Sequence, residues 1–207
     1  GTFTHNSGTV SIQTPAATFT SPVNYNNLII NHASAAVKFT GSSGSTMTIA
    51  GDLTITQGSF ENNISDANLT VTGDVSVTGT LTGNSGAMSF GGIRINSGGT
   101  YNATSGTTTV TNRFTGTSNL WKNDGGTFNH NNGTVKFTDN DHSLVKELTF
   151  YNLEQASSLG DYALSWETQS GTACTILGNL TITRGDFEIH AAGNTLDIHG
   201  QTIINGS

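Results

Sequence analysis

Residues 49–60 read IAGDLTITQGSF, and residues 176–187, which lie 127 positions later, read ILGNLTITRGDF. In both segments Leu, Ile and Thr alternate, and Gly with Asp or Asn stands beside the alternating stretch. Alternation with a period of two predicts short β-strands, because successive strand side chains point to opposite faces. Gly, Asn and Asp accept the tight or left-handed turns that end such strands. The pair therefore predicts one strand-and-turn template that the chain uses twice.

The template extends beyond these two segments. Residues 1–12, GTFTHNSGTVSI, correspond to residues 126–137, GTFNHNNGTVKF, at an offset of 125. A third, partial copy, INSGGTYNATSGTTTV, lies between them at residues 95–110. Joined to the first residues, the last residues, IINGS, reproduce the same phrase. We therefore expect the chain to be one period of a longer array, or a subunit that stacks end to end.

The two main copies differ by one block of sequence. Residues 73–90, GDVSVTGTLTGNSGAMSF, have no counterpart in the second copy. A β-solenoid tolerates the loss of a whole coil, because each coil contacts only its neighbours. We therefore predict an all-β parallel β-helix (β-solenoid) of about ten coils. Tandem Ig-like β-sandwiches are the alternative.

The predicted solenoid is continuous over residues 1–207. We divide it into copy one (residues 1–98), a partial copy (residues 99–125) and copy two (residues 126–207). Inward Leu, Ile, Val and Phe side chains would stack from coil to coil, and outward Thr and Asn would form ladders.

Composition narrows the possible partners. The chain has 14 acidic and 7 basic residues and a net charge of −7, so nucleic acid and anionic lipid are poor candidates. No apolar stretch approaches the length of a membrane span, and membrane insertion is not expected. The single Cys174 has no intramolecular disulfide partner, and we predict that it is a small buried strand residue.

The order of the phrases GTFxHNxGTVxF, FYNL and G(D/N)LTITxGxF resembles that of repeat-rich bacterial extracellular surface proteins of the haemagglutinin or adhesin type. This resemblance covers nearly the whole chain and implies an extracellular stalk, fibre or shaft at the cell surface, with no particular ligand. We expect a structural protein whose partners are copies of itself end to end. A glycan- or surface-binding adhesin module and a carbohydrate-active β-helix enzyme are the alternatives.

No catalytic, cofactor-binding or metal-binding residue is predicted. His5 and His130 occupy the same template position without a second histidine at metal-ligand spacing, which favours a corner role. His190 and His199 fall in separate strands, and binding of a metal would require adjacent coils to bring them together. Asp139 and Asp141 form an acidic loop too poor in oxygen ligands for calcium, so a solvated turn is expected.

Asp186 and Glu188 beside Arg184 form the best candidate cluster for polysaccharide cleavage. Polysaccharide-cleaving enzymes need clustered carboxylates on one face. The corresponding residues of copy one are Gln57, Ser59 and Glu61. Because Asp52 is likewise replaced by Asn179 in copy two, that position is interpreted as a turn. We therefore predict that the chain is not an enzyme.

Threonine triplets (TxT) and aromatic residues suggest two further surfaces. The triplets occur at residues 54–56, 70–72, 80–82 and 181–183. Their spacing is uneven and their middle residue is apolar, so ordinary strand alternation explains them better than an ice-binding face. Trp121, Trp166, Tyr151 and Tyr162 would form a sugar-stacking platform if exposed, although core or corner packing is favoured for Tyr151.

Glycosylation sequons also occur in this chain. They begin at Asn63, Asn68, Asn102, Asn179 and Asn205. Several matches are expected by chance in a chain so rich in Asn, Ser and Thr. The sequence alone does not decide whether any of them carries a glycan.

Overall fold

The computed structural model describes residues 4–20, 23–62, 66–139, 143–146, 149–157, 163–166, 173–189 and 192–205. These residues form short β-strands joined by turns, and they contain no helix.

The first twelve strands cover the first 110 residues and are β1 (Thr9–Ile12), β2 (Ala16–Phe19), β3 (Asn27–Phe39), β4 (Thr46–Ile49), β5 (Leu53–Asn62), β6 (Asn68–Val71), β7 (Val75–Val77), β8 (Thr80–Thr82), β9 (Met88–Phe90), β10 (Ile93–Ile95), β11 (Thr100–Asn102) and β12 (Thr107–Val110). The later strands are β13 (Asn119–Asn123), β14 (Thr127–Asn129), β15 (Thr134–Phe137), β16 (Ser143–Lys146), β17 (Thr149–Phe150), β18 (Asn152–Ala156), β19 (Ala163–Trp166), β20 (Ala173–Ile176), β21 (Leu180–Arg184), β22 (Asp186–Ile189), β23 (Thr195–Ile198) and β24 (Thr202–Ile204).

The strands stack on three faces of a parallel β-solenoid, and the chain visits the faces in a fixed order. Face 1 contains β1, the first part of β3 and of β5, then β7, β10, β13, β16, β19 and β22. Face 2 contains β2, the later part of β3 and of β5, β8, β11 and β14, and continues in the sheet β17-β20-β23. Face 3 contains β4, β6, β9, β12, β15, β18, β21 and β24. The predicted parallel β-helix is therefore confirmed.

The solenoid has about eight turns rather than the predicted ten. Successive strands of face 1 are between 18 residues (Val10 to Leu28) and 28 residues (Ile93 to Trp121) apart. The estimate of ten assumed shorter turns, whereas several corners carry long connections such as residues 111–118. The block at residues 73–90, which copy two lacks, contains β7, β8 and β9 and thus amounts to one turn.

The interior is formed by the inward side chains of the three faces. In the middle turns, buried residues alternate with partly exposed residues along each strand. Leu69 and Val71 are the buried residues of β6. Leu, Ile, Val, Phe and Met side chains stack from turn to turn to form one continuous core. Cys174 is buried in β20, as predicted.

The two copies of the template occupy different faces. Leu28 lies in β3 on face 1, whereas its counterpart Leu153 lies in β18 on face 3. Five register steps along face 1 lead from Leu28 to Val145, and the chain then passes through face 2 to reach Leu153. An offset of 125 residues therefore corresponds to five complete turns, followed by the passage from face 1 through face 2 to face 3.

Candidate functional site

The two HN(S/N)G phrases form matching corners. The Nδ1 of His5 accepts the N–H of Ser7 at 3.1 Å, and the Nδ1 of His130 accepts the N–H of Asn132 at 3.0 Å. The two residues after each histidine have positive φ, 45° and 58° in the first copy and 47° and 57° in the second. Gly8 closes the first turn by donating to His5 O. The histidines thus lie at corners, where their rings take part in the turn.

A second corner motif explains the phrase G(D/N)L. Asp52 Oδ1 accepts the N–H of Asp74, one turn later, at 2.8 Å. Asn179 Oδ1 accepts the N–H of Gln201 at 2.9 Å in the same way. The side-chain oxygen of one turn therefore replaces a backbone partner of the next turn. Asp52 acts as a turn residue, as does Asn179.

This ladder also requires glycine at the preceding position. A Cβ on Gly73 would collide with Asp52 Oδ1 and would lie 2.7 Å from Gly51 O. A Cβ on Gly200 would lie 2.5 Å from Asn179 Oδ1. The glycine and the acidic or amide residue of the template are thus parts of one contact between turns.

Amide side chains on face 2 form a ladder of their own. Asn129 Nδ2 donates to Asn102 Oδ1 at 2.7 Å, and Asn102 Nδ2 donates to Thr82 Oγ1 at 3.1 Å. Of the sequon asparagines, Asn68 also bonds between turns, since its Oδ1 accepts the N–H of Ala87. Asn205 is exposed, and Asn63 lies outside the described residues.

The aromatic residues are mainly core residues. Trp121 is fully buried, so it cannot belong to an exposed sugar platform. Its ring contacts those of Tyr101, Phe128, Phe137 and Phe150, at centroid distances of 5.9, 4.7, 6.4 and 5.5 Å. These inward rings come from strands on all three faces, which together fill the middle of the solenoid.

Among the other candidate platform residues, Tyr151 is the one whose side chain the structure describes. Tyr151 is half-buried and stacks on His130 with ring centroids 5.5 Å apart. Tyr162 and the side chain of Trp166 lie outside the described residues.

Tyr101 is the most perturbed titratable group in the described part of the chain. Burial raises its pKa far above the ordinary value, and the hydrogen bond to the Thr108 hydroxyl opposes this shift. Burial also raises the pKa of Tyr25. Both shifts have a structural cause.

The candidate acidic residues are dispersed or paired. Asp186 and Glu188 are exposed on β22, and Arg184 is exposed at the end of β21 on another face. Asp139 Oδ2 lies 3.9 Å from Arg113 Nε. Asp141 lies outside the described residues. No carboxylate pair enclosed in a cleft is formed by these described residues, as polysaccharide cleavage would require.

One of the two histidines of the C-terminal segment lies in the described part of the chain. His199 is exposed, and its Nε2 lies 3.0 Å from Asp197 Oδ2. His190 falls outside the described residues. Within the described ranges, no group of three or more His, Cys, Asp and Glu side chains is placed to hold a metal ion.

The four threonine triplets are spread over the three faces, and the triplet at residues 181–183 shares face 3 with the one at residues 70–72. Thr54 lies on face 1, Thr80 on face 2 and Thr70 on face 3. The middle residues of these triplets, Ile55, Leu81 and Val71, are buried in the core. Strand alternation therefore accounts for the triplets, and their uneven spacing reflects the passage from face to face.

The two end turns of the described chain differ from the middle. Inward apolar residues there pack on the core but remain partly exposed: Val10, Ile12, Ala17, Phe19 and Val23 at one end, and Phe187, Leu196 and Ile198 at the other. Ile204, in β24, is 68% exposed. A further turn stacked on either end would cover these side chains.

Comparison with known proteins gives no relative. No protein-family model, no curated protein and no solved structure matches this chain. The part of the chain that the structure describes contains no helix long and apolar enough to cross a membrane.

Proposed function

We propose that this chain is a structural protein, a β-solenoid segment of an extracellular shaft, fibre or stalk. Its partners are further β-solenoid turns, which stack on its end turns and come from a copy of the same chain or from a tandem repeat of the template. The observation that carries the proposal is the partial exposure of inward apolar residues in both end turns. An open end of a solenoid exposes strand edges as well as core, so it must be capped or continued.

The arrangement of the repeat supports a structural role. Many of the residues that both copies share are inward apolar residues, such as Leu28 and Leu153, or corner residues. Because the second copy falls on a different face, these shared residues do not form an aligned surface. The repetition therefore maintains stacking between turns, which is the property a shaft requires.

The location at the cell surface belongs to the same proposal. It rests on the resemblance of the repeated phrases to bacterial surface proteins of the adhesin type. The composition agrees with it, because charged residues are only 10% of the chain and Cys174 is the single cysteine.

Stacking is tested by sedimentation velocity of the purified 207-residue chain over a range of concentrations. We expect linear oligomers that lengthen with concentration. Ile204→Glu places a charge at the exposed inward position of the last turn and should abolish them. Thr109→Glu is the matched control, because Thr109 is an outward, partly exposed residue of the middle turns, and it should leave assembly unchanged.

The tandem form is tested separately by joining two copies in one polypeptide. The reference is the single chain at a concentration at which the single chain is monomeric. Relative to that reference, hydrogen exchange of the β22–β24 amides in the first of the two joined copies should slow strongly. The proposal is wrong if the single chain stays monomeric at all concentrations and those amides also remain unprotected in the joined construction.

A further inference from the structure

A groove of about 500 Å³ runs along the corner between faces 1 and 2. Its upper wall is a ledge formed by residues 33–35, where β3 bulges out of register with β5 between Asn31 and Ala36. The other walls include Thr56, Gln57 and Thr80. The groove spans several turns and therefore offers an extended ligand more than one point of contact.

Glycine forms the floor of the groove. Gly58, Gly79 and Gly98 come from three successive turns and leave the backbone uncovered. A Cβ on Gly58 would lie 2.5 Å from His32 O, so the ledge and the floor are packed together closely. The N–H and C=O of Gly79 already bond to Ile55 O and to the Thr100 N–H, so the glycines contribute space for a close approach and not hydrogen bonds at Gly79.

The chemistry of the walls is polar and uncharged. Hydroxyl groups come from Ser34, Thr56, Thr78 and Thr80, and an amide comes from Gln57. The Thr78 hydroxyl already accepts from Asn96 Nδ2 at 3.1 Å, and Gln57 Nε2 donates to Asn31 Oδ1 at 3.0 Å. Within the described part of the chain, the hydroxyls of Ser34, Thr56 and Thr80 have no hydrogen-bond partner. These groups can donate and accept hydrogen bonds, as a ligand rich in hydroxyl groups requires.

We propose that this groove binds a neutral polysaccharide segment, lying along the solenoid axis over the floor of Gly58, Gly79 and Gly98. The lining has no charged side chain with which to recognise an anionic or a cationic ligand. Binding would use hydroxyl and amide groups, and so it does not depend on the exposed aromatic platform that Trp121 cannot provide. The proposal is independent of end-to-end stacking.

The test is isothermal titration calorimetry of the intact monomeric chain with three probes: a hexamer of β-1,4-linked glucose, a hexamer of β-1,4-linked N-acetylglucosamine and a hexamer of galacturonate. We expect at least one of the neutral hexamers to bind and the galacturonate hexamer not to bind. The Thr56→Val and Thr80→Val double variant should weaken binding about tenfold, because two hydroxyl groups without a partner in the described chain are lost.

The matched control is the Thr48→Val and Thr70→Val double variant. These threonines are outward residues in adjacent turns of face 3, remote from the groove lining. This control should bind with unchanged affinity, and thermal unfolding should show that both double variants are folded. The proposal is overturned if neither neutral hexamer binds, if galacturonate binds equally well, or if the two double variants lose affinity to the same extent.

Discussion

Phe60 and Phe187 occupy the same position of the repeated template, but their surroundings differ. Phe60 is fully buried in β5, between Val37 of the preceding turn and Leu81 of the next. Phe187 lies in β22, pairs with Leu164 on one side and is only partly buried. The template therefore specifies that a side chain points inward, and the neighbouring turns determine how far it is buried.

The same contrast recurs along the second copy. Leu69 and Val71 are 1% exposed in β6, whereas their counterparts Leu196 and Ile198 in β23 are partly exposed. Since the sequence pattern is shared, the difference arises from position in the stack. A further turn stacked on the last one would therefore bury these side chains as the middle turns bury theirs.

The largest change in stability is expected from replacing one of the two phenylalanines. Phe60→Ala should lower the free energy of unfolding by about 3–5 kcal/mol, because it leaves a cavity between two stacked turns. Phe187→Ala should cost less than half of that in the monomer, because solvent already reaches this side chain. Urea unfolding of both variants measures the difference. Equal losses in the monomer would show that position in the stack does not control burial.

The corner glycines give the next largest effect. Gly73→Ala forces a Cβ against Asp52 Oδ1 and should destabilise the protein by about 1–3 kcal/mol, as overpacking does. The counterpart Gly200→Ala meets similar atoms but lies in the last turn, which can shift outward. We therefore expect a smaller loss there, measured by the same unfolding experiment. A larger loss for Gly200→Ala would contradict the account of the corner.

Alkaline pH tests whether the core of the middle turns is closed to water. Because burial raises the pKa of Tyr101 in the folded state, the unfolded chain loses the phenolic proton first. The stability that the buried Tyr101 side chain contributes is fully present below about pH 10. It is lost, at up to about 1.4 kcal/mol per pH unit, as the pH rises above that value.

Thermal unfolding between neutral and strongly alkaline pH should therefore show a decline that Tyr101→Phe reduces. The variant also loses the hydrogen bond to Thr108, so the comparison concerns the slope with pH and not the absolute stability. An identical slope in the variant would show that Tyr101 does not titrate as a buried group.

The smallest effect concerns the corner ladder. Asp52→Ala removes the acceptor of the Asp74 N–H and should cost about 1 kcal/mol, whereas Asp52→Asn keeps an acceptor oxygen and should cost less. Asn179→Ala, which removes the acceptor of the Gln201 N–H, should cost no more than Asp52→Ala. Denaturant unfolding measures all three variants. The ladder account would be wrong if Asp52→Asn were as harmful as Asp52→Ala.

Much of the fold follows from the sequence because inward and corner positions have strict requirements. Alternation in residues 53–55 predicts the strand and its inward face, and Gly73 with Asp52 marks a corner. The interchange of Asp52 and Asn179 correctly indicates a turn, since either side chain supplies the oxygen that the next turn needs.

The number of turns and the assignment of faces could not be predicted in the same way. Turn length varies between 18 and 28 residues, so an offset of 125 residues does not reveal that Leu153 lies on a different face from Leu28. The groove depends on a register shift in β3, between Asn31 and Ala36, which sequence periodicity does not show.

The central claim is that like turns stack on the ends of this solenoid. Electron microscopy of the concentrated chain tests it most directly, through the axial repeat of the particles. The nine described strands of face 1, at about 4.8 Å from each strand to the next and from the last strand to the first of the following copy, predict filaments with a repeat of about 43 Å. Separate particles no longer than one copy at every concentration would contradict end-to-end stacking.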